Sequence, residues 1–501
     1  MRSMNMNKWM LLLLLASSFA FTLEVDLGTE NQKTAGKKIY DKKCSQCHGN
    51  TGAGDGYATE YFNPKPRDFT SGAYKYQSTP SGDLPSHNDL KEVIRRGMPY
   101  TGMPANPELS EEELDDVVYY IKSFLEDFAD ADNIVDPISL PEPPPLTDVS
   151  IKKGREIFEK MECADCHGDL GRGYGKSAST LEDDWGSPIK PADLTKRWTF
   201  RTGSSRADLY RIIMNGIGGT PMPSFLDLAE EGERWPLVDY VYSLSQDKPN
   251  YGTVVSAKFR SGEIDIQDTS LFEQAEKTKF SIFGQMIESN RNFFSSVSDV
   301  DVKAIYNEKE IALQIKWSDI LPNEQGENTL VKNVIANDDS TITDAFAVQF
   351  PVKITGTEKK PYLLFGDKKR PMRILYRDLG KEEGKVWVGK GSDKLSETEE
   401  GFSSFALWKD GQWTLTVIQS LESEWGKQIT PEQFIPVLFS VWDGFYKETG
   451  NKMGMSSWYS LYLEPMQEKS AFVPAIKYFF IVFILEVLFV LFVRFKVKSK
   501  P

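Results

Sequence analysis

The chain has 501 residues, with 59 Lys and Arg against 73 Asp and Glu and a formal net charge of −14. No basic stretch lies outside the final residues 494–501, which disfavours a nucleic-acid partner and leaves an acidic body suited to steering basic ones. The length fits three soluble modules plus an anchor.

Residues 1–20 read as a secretory signal peptide: Arg2 and Lys8 precede an apolar core at 9–15, and Ser18-Phe-Ala20 offers a small-x-small cleavage site. The alternative is a retained N-terminal anchor. A first unit follows at 31–130. It opens with a helix-like run, Gly36-Lys-Lys-Ile-Tyr-Asp-Lys-Lys43, and continues into Cys44-Ser-Gln-Cys47-His48. A Gly-rich stretch at 49–56 then permits tight backbone turns. After Lys65-Pro-Arg-Asp-Phe-Thr70 comes Met103-Pro104. Ser110 and Glu113 form a capping-box pattern before Val117, Val118, Ile121 and Leu125, which share one helix face.

A Pro-rich linker at 131–149, with Pro143-Pro-Pro145 at its centre, predicts an extended, semi-rigid spacer. The second unit, at 150–247, repeats the first. Gly154-Arg-Glu-Ile-Phe-Glu-Lys-Met161 leads into Cys163-Ala-Asp-Cys166-His167, and a Gly-rich stretch occupies 168–175. Lys190-Pro-Ala-Asp-Leu-Thr195 and Met222-Pro223 follow, with a last apolar run from Trp235 to Leu244. Both the Cys motif and the Met-Pro pair recur at an offset of 119 residues.

C-x-x-C-H is the attachment sequence of c-type haem. Cys44, Cys47, Cys163 and Cys166 would carry two covalent haems through thioethers, with His48 and His167 as proximal iron ligands. All four cysteines and two of the three histidines are used in this way, so neither a zinc half-site nor a disulfide pair explains the pattern. The repeat places Met103 and Met222 in register as the sixth ligands. Met98 lands on Ile217 and Met214 on Arg95, which assigns both methionines to packing or surface. His87 lands on Arg206 and reads as a surface polar residue. A Met opposite each His raises the iron potential and leaves no open position, which suits electron transfer. Both units resemble class I cytochrome c domains.

From 253 to 465 the pattern changes to short strand-like runs at 311–317, 345–350, 413–418 and 434–442, with a hairpin signal at Lys409-Asp-Gly-Gln412. This predicts an antiparallel β-sandwich, so the expected fold class is two mostly-α domains, one sandwich and one transmembrane helix. Several runs resemble the haem-b-binding gamma subunit of ethylbenzene dehydrogenase and of nitrite oxidoreductase-type molybdoenzymes. They are Asp344-Ala-Phe-Ala-Val-Gln-Phe-Pro351, Pro361-Tyr-Leu-Leu-Phe-Gly366, Leu407-Trp-Lys-Asp-Gly-Gln-Trp413, and Val441-Trp-Asp-Gly444 through Lys452 to Ser457-Trp-Tyr459. The resemblance implies one non-covalent haem b between a Lys and a Met, with Lys452 at the lysine position. The methionine does not transfer directly: Phe365 stands where it is expected, leaving Met372, with Met453 and Met455, as candidates. Gln419 stands where the family tends to have Arg. The domain either holds haem b or keeps the fold as a docking module.

The segment at 471–493 reads as a transmembrane helix interrupted by Lys477 and Glu486, and 494–501 as a basic cytoplasmic tail. These features together predict a single-pass protein of the bacterial cytoplasmic membrane, with its body in the periplasm and its C-terminus cytoplasmic. The expected function is electron transfer within a respiratory molybdoenzyme complex, beside a molybdopterin catalytic subunit and an iron–sulfur subunit. A soluble cytochrome, a terminal oxidase or the quinone-linked chain would be the further redox partner. The alternatives are a self-standing dihaem shuttle and a dihaem peroxidase-type enzyme; the second needs an open iron position that the paired methionines argue against. No catalytic acid, base or nucleophile stands out.

Overall fold

The computed structural model describes residues 25–62, 64–246, 248–330, 341–354, 359–466 and 472–498. The signal-peptide segment at 1–20 lies outside the described residues.

Each of the first two units is a small helical body built the same way. In the first, α1 (Glu30–Lys43) starts at a Thr29 capping box and runs into the short α2 (Ser45–His48). It is followed by α3 (His87–Arg96) and α4 (Glu111–Lys122), the latter capped by Ser110 and Glu113 as the pattern indicates. The second unit supplies α5 (Asp148–Lys160), α6 (Ala164–His167), α7 (Arg206–Asn215) and α8 (Glu231–Ser243). The first and last helices of each unit cross at a glycine. A Cβ at Gly36 would run into the Asp116 carbonyl, and one at Gly154 into the Pro236 carbonyl. That close crossing brings Tyr40, Leu114, Val117 and Val118 into one core, and Phe158, Leu237 and Val238 into the other.

The third domain corrects the expected antiparallel sandwich. Its strands are β1 (Val254–Phe259), β2 (Thr278–Ser281), β3 (Phe283–Gly284), β4 (Asp299–Tyr306), β5 (Glu310–Ser318), β6 (Ala345–Pro351) and β7 (Met372–Asp378). They continue with β8 (Gly384–Gly389), β9 (Leu395–Lys409), β10 (Gln412–Ser420), β11 (Phe434–Trp442), β12 (Gly454–Met455) and β13 (Tyr459–Leu463). Neighbours run β13-β1-β4-β5-β10-β9-β8-β7-β6-β11, and β11 pairs back onto β13, so these ten strands close a barrel. The closure comes from one strand used twice: Phe434–Val437 pairs with β13 and Leu438–Trp442 with β6. Closure leaves no open edge in that ring. Nor is the sheet purely antiparallel, because β1 runs parallel to both β13 and β4. The hairpin at 409–412 forms as expected, with Asp410 and Gly411 both at positive φ and Lys409 opposite Gln412.

The expected membrane anchor is also corrected. A helix, α9 (Phe472–Lys498), does form over this segment. Among the described residues, however, no helix is long and apolar enough to cross a membrane. Glu486 leaves apolar runs of eight residues before it (478–485) and seven after it (487–493), against the roughly 20 that a span requires. The single-pass topology, with periplasmic body and cytoplasmic tail, loses its support with the helix. Residues 499–501 of the basic tail lie outside the described residues.

The three domains are in contact. Phe62 meets Phe293 and Phe294 at ring centroid distances of 5.6 and 5.9 Å, joining the first unit to the barrel. The second unit meets the barrel through Ser318 to Asp193 (2.9 Å), Lys196 to Asp299 (3.1 Å) and Lys190 to Asp443.

Candidate haem sites

The geometry of the two C-x-x-C-H motifs decides whether haem fits. In both units the motif sits on one helical turn immediately after the first long helix. The four cysteines are unpaired thiols, so neither pair is a disulfide. Burial pushes the free Cys44 thiol up to about 11 and that of Cys163 up to about 12.

The adjacent histidines are oriented alike. His48 Nδ1 lies 2.9 Å from the Arg67 carbonyl, and His167 Nδ1 lies 3.0 Å from the Ala192 carbonyl. Burial lowers the pKa of both imidazoles, so the neutral form donates Nδ1–H to the carbonyl and leaves Nε2 as the atom that could hold a metal. A backbone carbonyl in this role fixes the tautomer and ring orientation of a metal-binding histidine. Phe69 stacks on His48 at 4.5 Å and completes the wall.

Arg67 and Ala192 occupy the same place in the matched Lys-Pro-x-Asp-x-Thr loops. In each loop the Asp side chain accepts from the Thr backbone N–H and hydroxyl, at 2.8 and 2.6 Å for Asp68 and at 3.0 and 2.6 Å for Asp193. Each loop is also tied to the Gly-rich stretch, Phe69 N to Gly52 O at 2.7 Å and Leu194 N to Gly171 O at 2.6 Å. The duplicated loop was visible in the sequence, but its role as the histidine's acceptor was not.

The methionine loops match as well. Met103 N donates to Thr101 Oγ1 at 3.2 Å, and Met222 N to Thr220 Oγ1 at 3.3 Å. Met98 and Ile217 donate from equivalent backbone positions to the Met103 and Met222 carbonyls, at 3.0 and 3.1 Å. Met98 therefore closes the loop that presents Met103, and its side chain is buried. Met214 is fully buried in the second core. His87 bonds Asp115 on α4 through Nε2 at 2.9 Å, a half-buried contact that commits the ring to packing on that helix.

A cavity of about 890 Å³ opens between the second unit, the first unit and the barrel, and Cys163, Cys166, His167 and Met222 line it on the second-unit side. That size lies at the upper end of what cofactor sites usually occupy. In the first unit Cys44 and Met103 both border the core that contains Tyr40 and Phe69. The residues present therefore fit haem: paired thiols and a histidine with a fixed tautomer in each unit, and in the second a methionine, Met222, lining the same cavity as His167. When bound, haem supplies a one-electron couple at iron.

A model for cytochrome c matches residues 34–124, and one for the cbb3-type cytochrome c oxidase subunit III matches residues 149–241. Both units are cytochrome c domains. The cytochrome c domains imply covalent haem c.

Among relatives, a protein of Haloferax mediterranei named as a respiratory nitrate reductase heme subunit (ORF7) is 24% identical over 168 residues, 33% of this chain and 56% of the relative. The chain thus spans little more than half of that relative. A solved chain from the Kuenenia stuttgartiensis reducing HAO-like protein complex is 43% identical, with 44% of this chain and 100% of that one covered at a TM-score of 0.41.

The residues nominated for haem b lie differently. Lys452 lines the wall of the cavity that contains His167 and Met222, and its Nζ donates to the Tyr446 carbonyl at 2.7 Å. Burial lowers its pKa against the opposing pull of Glu448 and Asp443. Met372 is fully buried on β7, packed with Phe365, Trp442, Met453 and Met455, and is not among the residues lining that cavity. These residues do not fit a haem held between Lys452 and Met372. Gln419, at the position where the gamma family tends to have Arg, accepts from Arg373 at 2.6 Å.

A further group was missed by sequence reasoning. Asp319, Asp344 and Asp443 converge inside the barrel end, with carboxylate oxygens within 4.8 Å of one another. Lys190 of the second cytochrome c domain reaches in to pair with Asp443. These carboxylates are scattered over more than a hundred residues of chain, so no local motif marks them.

Proposed function

We propose that the chain carries two covalent haems, one per cytochrome c domain, and works as an electron-transfer subunit of a respiratory molybdoenzyme complex. What carries the reading is the duplicated ligand geometry: a His with its Nδ1–H bound to a loop carbonyl and a Met presented by a closed backbone loop, twice. Two protein ligands on each iron favour outer-sphere electron transfer over substrate binding. The cytochrome c domains hold the ligands, fix the histidine tautomer and keep the buried faces of the cofactors from water.

Complex membership is supported by the likeness to a nitrate reductase heme subunit and by the resemblance of the sequence runs at 344–351, 361–366, 407–413 and 441–459 to gamma subunits of molybdenum enzymes. Electrons would pass between a molybdopterin and iron–sulfur partner and the two c-haems. A soluble cytochrome, an oxidase or the quinone-linked chain would take the other end. The barrel would act as the docking module, consistent with the separate positions of Lys452 and Met372. Native purification tests this reading: co-elution with a molybdopterin subunit and an iron–sulfur subunit is expected, and isolation as a lone chain would refute complex membership.

The self-standing shuttle is the second reading. The misfit of Lys452 and Met372 to haem b favours it equally, because a barrel without cofactor adds no redox centre of its own.

A further inference from the structure

The two cytochrome c domains are not identical in length between motifs. The offset is 119 residues at the Cys motif and at Gly56 and Gly175, becomes 125 at Lys65 and Lys190, and returns to 119 at Met103 and Met222. The second domain therefore has six additional residues between its Gly-rich stretch and its histidine-holding loop. They form a small hairpin, closed by the bridge between Glu182 and Pro188. Its tip is organised by Asp183, whose Oδ1 accepts from Trp185 N at 3.2 Å and Ser187 N at 2.9 Å.

The tip reaches across to the first domain. The Arg67 guanidinium lies 3.9 Å from the Trp185 ring centroid, and Lys75 reaches Asp183 Oδ2 at 3.5 Å. Arg67 is the residue whose carbonyl holds His48. The other edge of the indole packs on Gly219, where an added Cβ would come within 2.5 Å of Trp185 Cη2. Gly219 also accepts from Asp184 N at 3.1 Å and directly precedes Thr220, which positions Met222. One aromatic side chain thus touches the residue that holds the first histidine and the loop that presents the second methionine.

We propose that the Trp185 hairpin is an inter-haem bridge that sets the rate of electron exchange between the two cytochrome c domains. The inference rests on the reading of two haems per chain. The step moves one electron from the reduced iron of one domain to the oxidised iron of the other. Trp185 itself is neither oxidised nor reduced, and no proton or group is transferred. The indole serves as packed, polarisable matter joining Arg67 to the Gly219–Thr220 loop, where its removal would leave water. A cation–π stack of this kind also holds the two domains in one relative geometry.

The test compares the full holo-chain with its Trp185→Leu and Trp185→Phe variants. Intact mass first counts the covalent haems, and a spectroelectrochemical titration gives each potential. Laser-flash reduction of the oxidised protein by a soluble photosensitiser then follows redistribution between the haems. The expected result is two haems with unchanged potentials in all three proteins. Exchange should slow about tenfold in Trp185→Leu, about 1.4 kcal/mol in activation free energy, while Trp185→Phe stays near the parent. Unchanged exchange in Trp185→Leu overturns the proposal. Equal slowing in both variants also overturns it, since the hairpin would then act as a clamp without need of an aromatic. A parent chain with one haem overturns the two-haem reading first, and the bridge with it.

Discussion

Lys190→Met gives the sharpest test of how the second cytochrome c domain is locked to the barrel. The Lys190 side chain is 16% exposed and its partner Asp443 is 1% exposed. The ammonium also lies 4.8 Å from the Tyr446 ring centroid and 5.3 Å from that of Phe445. Burial pulls its pKa down, but Asp443 and Asp319 outweigh this and raise it overall, so the charge is retained. Removing it leaves Asp443 buried beside Asp319 and Asp344 without their cation. Breaking one side of a buried pair costs about 3–5 kcal/mol.

The loss should depend on pH, with a sign fixed by the carboxyls. Burial, then Asp344 and Asp443, raises Asp319 well above the usual carboxylate range while Lys190 opposes the rise, and burial, then Asp443, pushes Asp344 up to about 7. Raised carboxyl values mean that the native state keeps protons the unfolded chain has released. The favourable contribution is complete below about pH 4 and is lost as pH rises through about 7. Lys190→Met should therefore be most damaging at about pH 8 and milder, by 1 kcal/mol or more, at about pH 5. Urea unfolding of the holo-chain followed by far-UV circular dichroism reads both. A loss below about 1 kcal/mol at the higher pH, typical of exposed pairs, or an equal loss at both, would refute the reasoning.

The remaining predictions concern the haem sites and the helix crossings. Met103→Ala and Met222→Ala should each abolish the methionine–iron absorption signature of one haem and lower its potential, while Met98→Leu should leave both signatures intact in a visible spectrum. Gly36→Ala and Gly154→Ala each drive a methyl into a carbonyl across a helix crossing and should cost about 1–3 kcal/mol in thermal or urea unfolding. Burial would raise the pKa of Asp299, but Lys196 and Lys279 outweigh it and hold it at about 2. The stability it contributes is present above about pH 4 and is lost as pH falls toward about 2. Limited proteolysis across that window should show the contact between the second domain and the barrel loosening, and Asp299→Asn should flatten the dependence.

The candidate haem sites were legible because covalent attachment needs fixed local spacings, and duplication let each copy check the other. Laying Met98 on Ile217 singled out Met103 as the expected ligand, and the structure gives Met98 a backbone role in the same loop. The carbonyls of Arg67 and Ala192 were not legible, since a backbone oxygen leaves no residue-type signature. The barrel was misread for a related reason. Alternating strands such as Glu310–Ser318 and Gln412–Ser420 have the same period in a sandwich or a barrel. What closes the ring is β11 shared between β6 and β13, together with the parallel β1, and both depend on distant pairings. The 471–493 segment was read by overall apolarity, whereas Glu486 divides it into two short runs. The Lys452 position came from a resemblance, and only three-dimensional placement put it on the wall of the cavity that His167 and Met222 line, with Met372 outside that lining.

The most direct test of the account is the number of haems bound covalently to the isolated chain. Intact-protein mass spectrometry before and after acid–acetone extraction is expected to find two haem masses that resist extraction and none that is removed. A single covalent haem, or none, would contradict the duplicated His–Met geometry as a pair of electron-carrying sites.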